Sequence, residues 1–163
     1  MGSTRHKPEF PPLLQPGLHD MSAGDMKALV VDNFPLSTRR AMLWQNLTAL
    51  IDQLKALSMP CKVWVDGSFL TEKIDPDDVD FVADFPIHVI ENATPAQEAL
   101  LNQLVAHAFC KIQKLHSFVM FDAPIVHKDY ATSSNIHEQW KRDFGFSYVK
   151  KTQKGIAVFK VQP

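Results

Sequence analysis

The chain has 163 residues, 45% hydrophobic and 21% charged, a balance that suits one domain with its own core and excludes a predominantly disordered chain. A formal net charge of −1 excludes bulk electrostatic attraction to nucleic acid and leaves only a local basic patch open. Two cysteines, Cys61 and Cys110, make neither a disulfide framework nor a CxxC metal pair; no apolar run reaches membrane-spanning length, and the first residues lack a signal-peptide core, so a cytoplasmic protein with two reduced core thiols is expected.

Residues 1–18 hold Pro8, Pro11, Pro12 and Pro16, whose missing N–H groups and fixed φ bar a helix or a central strand; an extended arm is expected there, followed by a domain over 19–163. A short helix is expected from Ser22 or Ala23 to Asn33, stopped by Pro35. Ser37 or Thr38 then caps a long helix to about Leu57, along which Ala41, Trp44, Leu47, Leu50, Ile51, Leu54 and Leu57 trace an apolar stripe for the core. A strand begins at Cys61, turns at Gly67-Ser68, and a second strand carries Asp78 and Asp80. Thr94, Pro95 and Gln97 make an N-cap, a helical first-turn proline and a capping-box partner, with the helix reaching His107 or Phe109. Ser117–Val126 is the next strand, 135–144 a helix, Lys150, Lys151 and Lys154 a basic loop, and Gly155–Val161 the last strand. The order α-α-β-β-α-β-α-β predicts an α+β domain with a mixed sheet of about four strands backed by helices.

The stretch CKVWVDGSFLTEKIDPDDVDFVADF (61–85) carries the chemistry. Side chains two apart on a strand share a face, so Asp78 and Asp80 lie side by side, and two ionised carboxylates so placed are tolerable mainly when a cation sits between them. Oxygen-only ligation suits Mg²⁺ or Mn²⁺, whose remaining positions go to phosphates and water. Gly67 lacks a Cβ and lets a phosphate approach the backbone, and Ser68 adds a hydroxyl and an N–H.

Gly67-Ser68, nine intervening residues, then Asp78-Val79-Asp80 resembles the signature of the DNA polymerase β-type nucleotidyltransferases. DGSFLTEK followed by PDDVD is similar, more closely, to an uncharacterised prokaryotic branch of small nucleotidyltransferases of that type. In that branch the motif follows a Pro-Gly-hydrophobic-His segment and an arginine-bearing helix, and precedes a Trp, Phe-Gly-Phe, Lys-Gly-Ile tail. QPGLHD, STRRAMLWQNL and EQWKRDFGFSYVKKTQKGIAVF match these, so the resemblance covers about residues 15–160.

The resemblance implies the palm-like nucleotidyltransferase fold and a third carboxylate on a later strand. Asp122 matches it, with Asp129 and Asp143 as substitutes. It further implies that Asp78, Asp80 and Asp122 hold two Mg²⁺ ions, about 3.5 to 4 Å apart in such sites. Gly67 and Ser68 would grip the NTP phosphates, and Lys73 either neutralises the leaving group or is a solvated loop lysine. The implied activity moves an NMP from an NTP such as ATP to RNA (tRNA included), to a protein or to a small acceptor. By family analogy the setting is a toxin–antitoxin or phage-defence module, with acceptor recognition from a protein partner, a homo-oligomer or the loops. The alternative is a non-catalytic nucleotide- or partner-binding module that keeps the fold.

Other chemistries fail on the residues. Asp75, Asp77, Asp78 and Asp80 lack the central glycine and twelfth-position glutamate of a calcium loop. The seven histidines form no HExxH or HxxxH pair, and Ser68 lacks the second flanking glycine of a hydrolase elbow. Asp66 faces away from a ligand as readily as toward one. Arg39 and Arg40, at a helix start where positive charge is unfavourable, are expected as solvated charges, with a partner such as Asp or a nucleotide as the alternative, and Trp140 as core beside Ile136 and Phe144.

Overall fold

The computed structural model describes residues 7–147 and 152–163; Lys150 and Lys151 of the expected basic loop lie outside the described residues. The fold is α+β. Five strands, β1 (Gly17–Asp20), β2 (Cys61–Asp66), β3 (Val79–Pro86), β4 (Leu115–Asp122) and β5 (Gly155–Val161), form one mixed sheet in the order β1-β5-β2-β3-β4. The β1/β5 and β3/β4 pairs are parallel, and β2 is antiparallel to both β3 and β5.

One strand more than expected is present, because part of the proline-rich arm pairs. Proline cannot donate to a ladder, and β1 accordingly starts after Pro16 and sits at the sheet edge. Its approach to β5 depends on Gly155, where a Cβ would run into the backbone oxygen of Gln15 and come within 2.6 Å of the Leu14 side chain.

Among the described residues there are five α-helices: α1 (Ala23–Lys27), α2 (Arg40–Ala56), α3 (Ile87–Glu91), α4 (Pro95–Val105) and α5 (Tyr130–Phe144). Helix α1 runs on into a π-helical turn, Ala28–Asp32. The capping box of α4 forms as expected, with Thr94 Oγ1 accepting from the Gln97 N–H and Gln97 Oε1 from the Thr94 N–H. Helix α5 begins five residues earlier than its periodicity suggests. Ser133 holds this first turn to the end of β4, its Oγ donating to Phe121 O and accepting from the Ala123 N–H. Strand β4 is displaced towards the N-terminus of its expected range and ends at Asp122, just before Ala123 and Pro124.

Alternation on β3 divides the core. Val79, Phe81, Ala83 and Phe85 face α2 and α4 in one large cluster with Leu43, Leu47, Leu54, Leu100 and Leu104. Each such fully buried side chain contributes about 1.5–3 kcal/mol. Val82 points the other way and packs with Trp64, Met120, Ile156, Val158 and Phe144 beneath α5. Trp140 is only half-buried; its ring is tilted on Phe118 with centroids 4.9 Å apart. Cys61 is buried in the core as expected, whereas Cys110 is half-buried and stands outside it.

Candidate active site

The site forms where β2 ends and β3 begins. Gly67 takes φ +78, a left-handed conformation that favours glycine, and opens a 3₁₀ turn, Gly67–Leu70, whose Phe69 and Leu70 are buried. A Cβ on Gly67 would overlap the carboxylate of Asp80, with the Asp80 Cβ and Cγ each only 3.1 Å away. The glycine turn and the Asp-x-Asp strand are therefore in contact.

The connection between them is pinned by Arg40. Expected as a solvated charge, its side chain is fully buried, and it donates to the backbone oxygens of Val30, Phe69, Thr71, Lys73 and Ile74 at 2.6–3.2 Å. Its guanidinium also lies 3.7 Å from the Phe34 ring centroid. Burial pulls the group down to about 10, so it still carries its proton at neutral pH. The five donors of the planar fork suit a loop whose carbonyls turn inward. Nothing in its local sequence separates it from Arg39, which is exposed and pairs with Asp77 at 2.9 Å. Asp75 completes the latch: it accepts from Ser37 Oγ at 2.8 Å and the Thr38 N–H at 2.9 Å, at the start of α2.

Asp78 immediately precedes β3, and Asp80 is its second residue. The Asp80 carboxyl is held above the usual carboxylate range, first by burial and then by repulsion from Asp78, while a hydrogen bond from His116 opposes the shift. Across the ladder Asp80 stands level with Asp66 on β2 and His116 on β4, so all three side chains share one face. His116 Nδ1 lies 3.0 Å from Asp80 Oδ1.

Asp66, whose direction the sequence left open, points into this site. It is 3% exposed, bonds Lys154 Nζ at 2.9 Å through Oδ2, and has no partner for Oδ1 among the described residues. Burial pushes its carboxyl up to about 7, against the opposing pull of Lys154. The signal in the sequence was an acid ending an otherwise apolar strand at the glycine turn; for His116 there was none.

One expected site residue falls elsewhere. Asp122 does not join the pair: it is paired with Pro86, six residues along β4 from His116, about 20 Å away at the rise of a strand. There it is half-exposed and lies 3.7 Å from Lys62 Nζ. Its fixed place at the far end of the parallel register is what separates it from Asp80. Lys73 donates to Asp77 at 2.9 Å, so its charge is already matched by a neighbour other than Asp78 or Asp80. The substitutes do no better, since Asp129 precedes α5 beyond the end of β4 and Asp143 is exposed on α5.

The donor chemistry of Asp78 and Asp80 fits one hard divalent cation, because both offer only oxygen and their repulsion would be relieved by positive charge. The two-ion arrangement with Asp122 does not fit. Among the described residues, Glu91, His127 and Asp129 bring ligand atoms within 4.8 Å of one another. His127 Nδ1 there accepts the Asp129 N–H at 3.1 Å, which puts the ring proton on Nε2, facing Glu91 at 3.3 Å. That is a hydrogen-bonded chain with no free imidazole lone pair.

The model of a family of unknown function, DUF6932, matches residues 8–160, and the chain belongs to that family. No curated protein and no solved structure matches it. No helix among the described residues is long and apolar enough to cross a membrane.

Proposed function

We propose that the protein is a nucleotidyltransferase of the polymerase β type that transfers an NMP from an NTP to an acceptor hydroxyl. The observation that carries this reading is the contact of Gly67 with the Asp80 carboxylate, which sets the glycine turn directly against the paired acids. Asp78 and Asp80 would hold a divalent cation, which supplies charge neutralisation to the phosphates when bound. The Gly67 and Ser68 backbone grips the outer phosphates. The acceptor oxygen forms its bond to the α-phosphorus as the bond to the bridging oxygen breaks; pyrophosphate leaves and the acceptor proton passes to solvent.

A second reading, a nucleotide-binding module without transfer, draws support from His116. The later-strand position level with Asp80 carries an imidazole in place of a third acid, and Asp122 is remote. Incubation with Mg²⁺, each α-labelled NTP, total tRNA and cell lysate separates the two. Transfer of label that vanishes in Asp78→Ala and Asp80→Ala supports the enzyme. Mg·NTP binding without transfer supports the module, and label that persists in both variants removes the catalytic assignment.

A further inference from the structure

Beside the Gly67–Ser68 turn lies a cleft of about 430 Å³, a volume typical of small-molecule sites. A larger cleft of about 560 Å³, between α2 and β5, does not touch the Gly67–Ser68 turn. The smaller one has a chemically mixed lining: Gly67, Ser68, Thr71 and Lys154 on the one hand, and Pro8, Phe10, Pro11 and Pro12 of the N-terminal arm on the other.

The arm is a fixed wall. Pro12 bridges to Thr71, the Leu13 N–H donates to Leu70 O at 2.9 Å, and the Glu72 N–H donates to Pro11 O at 2.9 Å. Ser147 and Thr152, which also line the cleft, are tied to each other, with the Ser147 N–H on Thr152 O at 2.8 Å and the Thr152 N–H on Ser147 Oγ at 3.0 Å. Proline presents only C–H surface and a carbonyl, and Phe10, 37% exposed, offers a ring to whatever enters. Backbone N–H groups and hydroxyls at the turn favour phosphate, and the Lys154 ammonium, bonded to Asp66 at 2.9 Å, adds positive charge there.

We infer that this cleft is the nucleoside slot of the site. The base lies on Phe10 and the arm prolines, and the triphosphate extends to Gly67, Ser68 and Lys154. The inference rests on the nucleotidyltransferase reading and adds to it the arm as the base-binding element. Recognition through an aromatic face and proline edges tolerates every base, so the slot selects nucleotides as a class.

The test compares binding of ATP, GTP, CTP and UTP with binding of inorganic tripolyphosphate, all with Mg²⁺, by calorimetry on the full chain and on Phe10→Ala and Phe10→Trp. The wild type should bind the NTPs about tenfold more tightly than tripolyphosphate. Phe10→Ala should erase that advantage and leave tripolyphosphate within about twofold, while Phe10→Trp retains it. Equal affinity of the wild type for NTP and tripolyphosphate, or a loss in Phe10→Ala shared by both ligands, overturns the slot and leaves phosphate binding at the turn standing. Failure of every ligand to bind the wild type removes the nucleotidyltransferase reading and the slot with it.

Discussion

The Asp80 carboxylate occupies the space into which any side chain on Gly67 would project. At φ +78 the backbone there is also strained for an L-residue. Gly67→Ala should therefore cost about 2–4 kcal/mol, lower the melting temperature by roughly 5–15 °C, and abolish Mg·NTP binding. Adding Asp80→Ala removes the overlap and should return part of the stability but none of the binding. Thermal melts of the two single variants and the double variant check this, and strict additivity would show that the contact is not the source of the loss.

Arg40 is worth far more to the fold than its neighbour. Arg40→Met removes every donor to five inward-turned carbonyls and should cost about 3–5 kcal/mol in denaturant unfolding. Arg40→Lys retains the charge without the fork and should recover only part of the loss. Arg39→Ala, which removes an exposed pair with Asp77, should change stability by less than about 1 kcal/mol.

Asp66 makes the fold sensitive to pH. Its folded carboxyl sits near 7, above the ordinary value of 3.8, so the folded state binds the proton more tightly than the unfolded chain. The contribution is fully present below about pH 4 and is lost as pH rises through about 7. Asp66→Asn cannot titrate and should flatten the stability profile between those limits. Urea unfolding at pH 4.5, 6 and 8 measures it, and a variant profile parallel to that of the wild type would refute the assignment.

His137 reports from the opposite end of the sheet. Its Nε2 lies 2.9 Å from the buried Asp84, and this hydrogen bond holds its pKa above the usual imidazole value. A raised imidazole contributes stability that is complete below about pH 6.5 and lost as pH rises through its higher folded value. His137→Gln should thus destabilise by about 1–3 kcal/mol at pH 5.5 and by less at pH 8.5. An equal loss at both values would make the contact a packing effect.

Asp122 provides the negative control. Asp122→Ala should leave Mg·NTP affinity within about twofold, whereas Asp78→Ala and Asp80→Ala should lower it at least tenfold. Isothermal titration distinguishes these outcomes. A tenfold loss in Asp122→Ala would require the two ends of β4 to act on one ligand.

Much of this molecule was legible in its residues because the signals are local. Strand alternation around Val79 and Phe81, the apolar stripe of α2, the Thr94 capping box and the Gly67-Ser68 and Asp78-Val79-Asp80 segments each depend on neighbours within a few positions. What remained hidden depends on register and topology. The parallel pairing of β3 with β4 sets His116 beside Asp80 and carries Asp122 to the far end. The antiparallel pairing of β2 with β3 turns Asp66 into the site, and folding of the segment 69–74 around α2 buries Arg40 while leaving Arg39 in solvent. Partners 14 to 36 positions apart leave no trace in short-range periodicity, so only the tertiary structure could decide which charges meet.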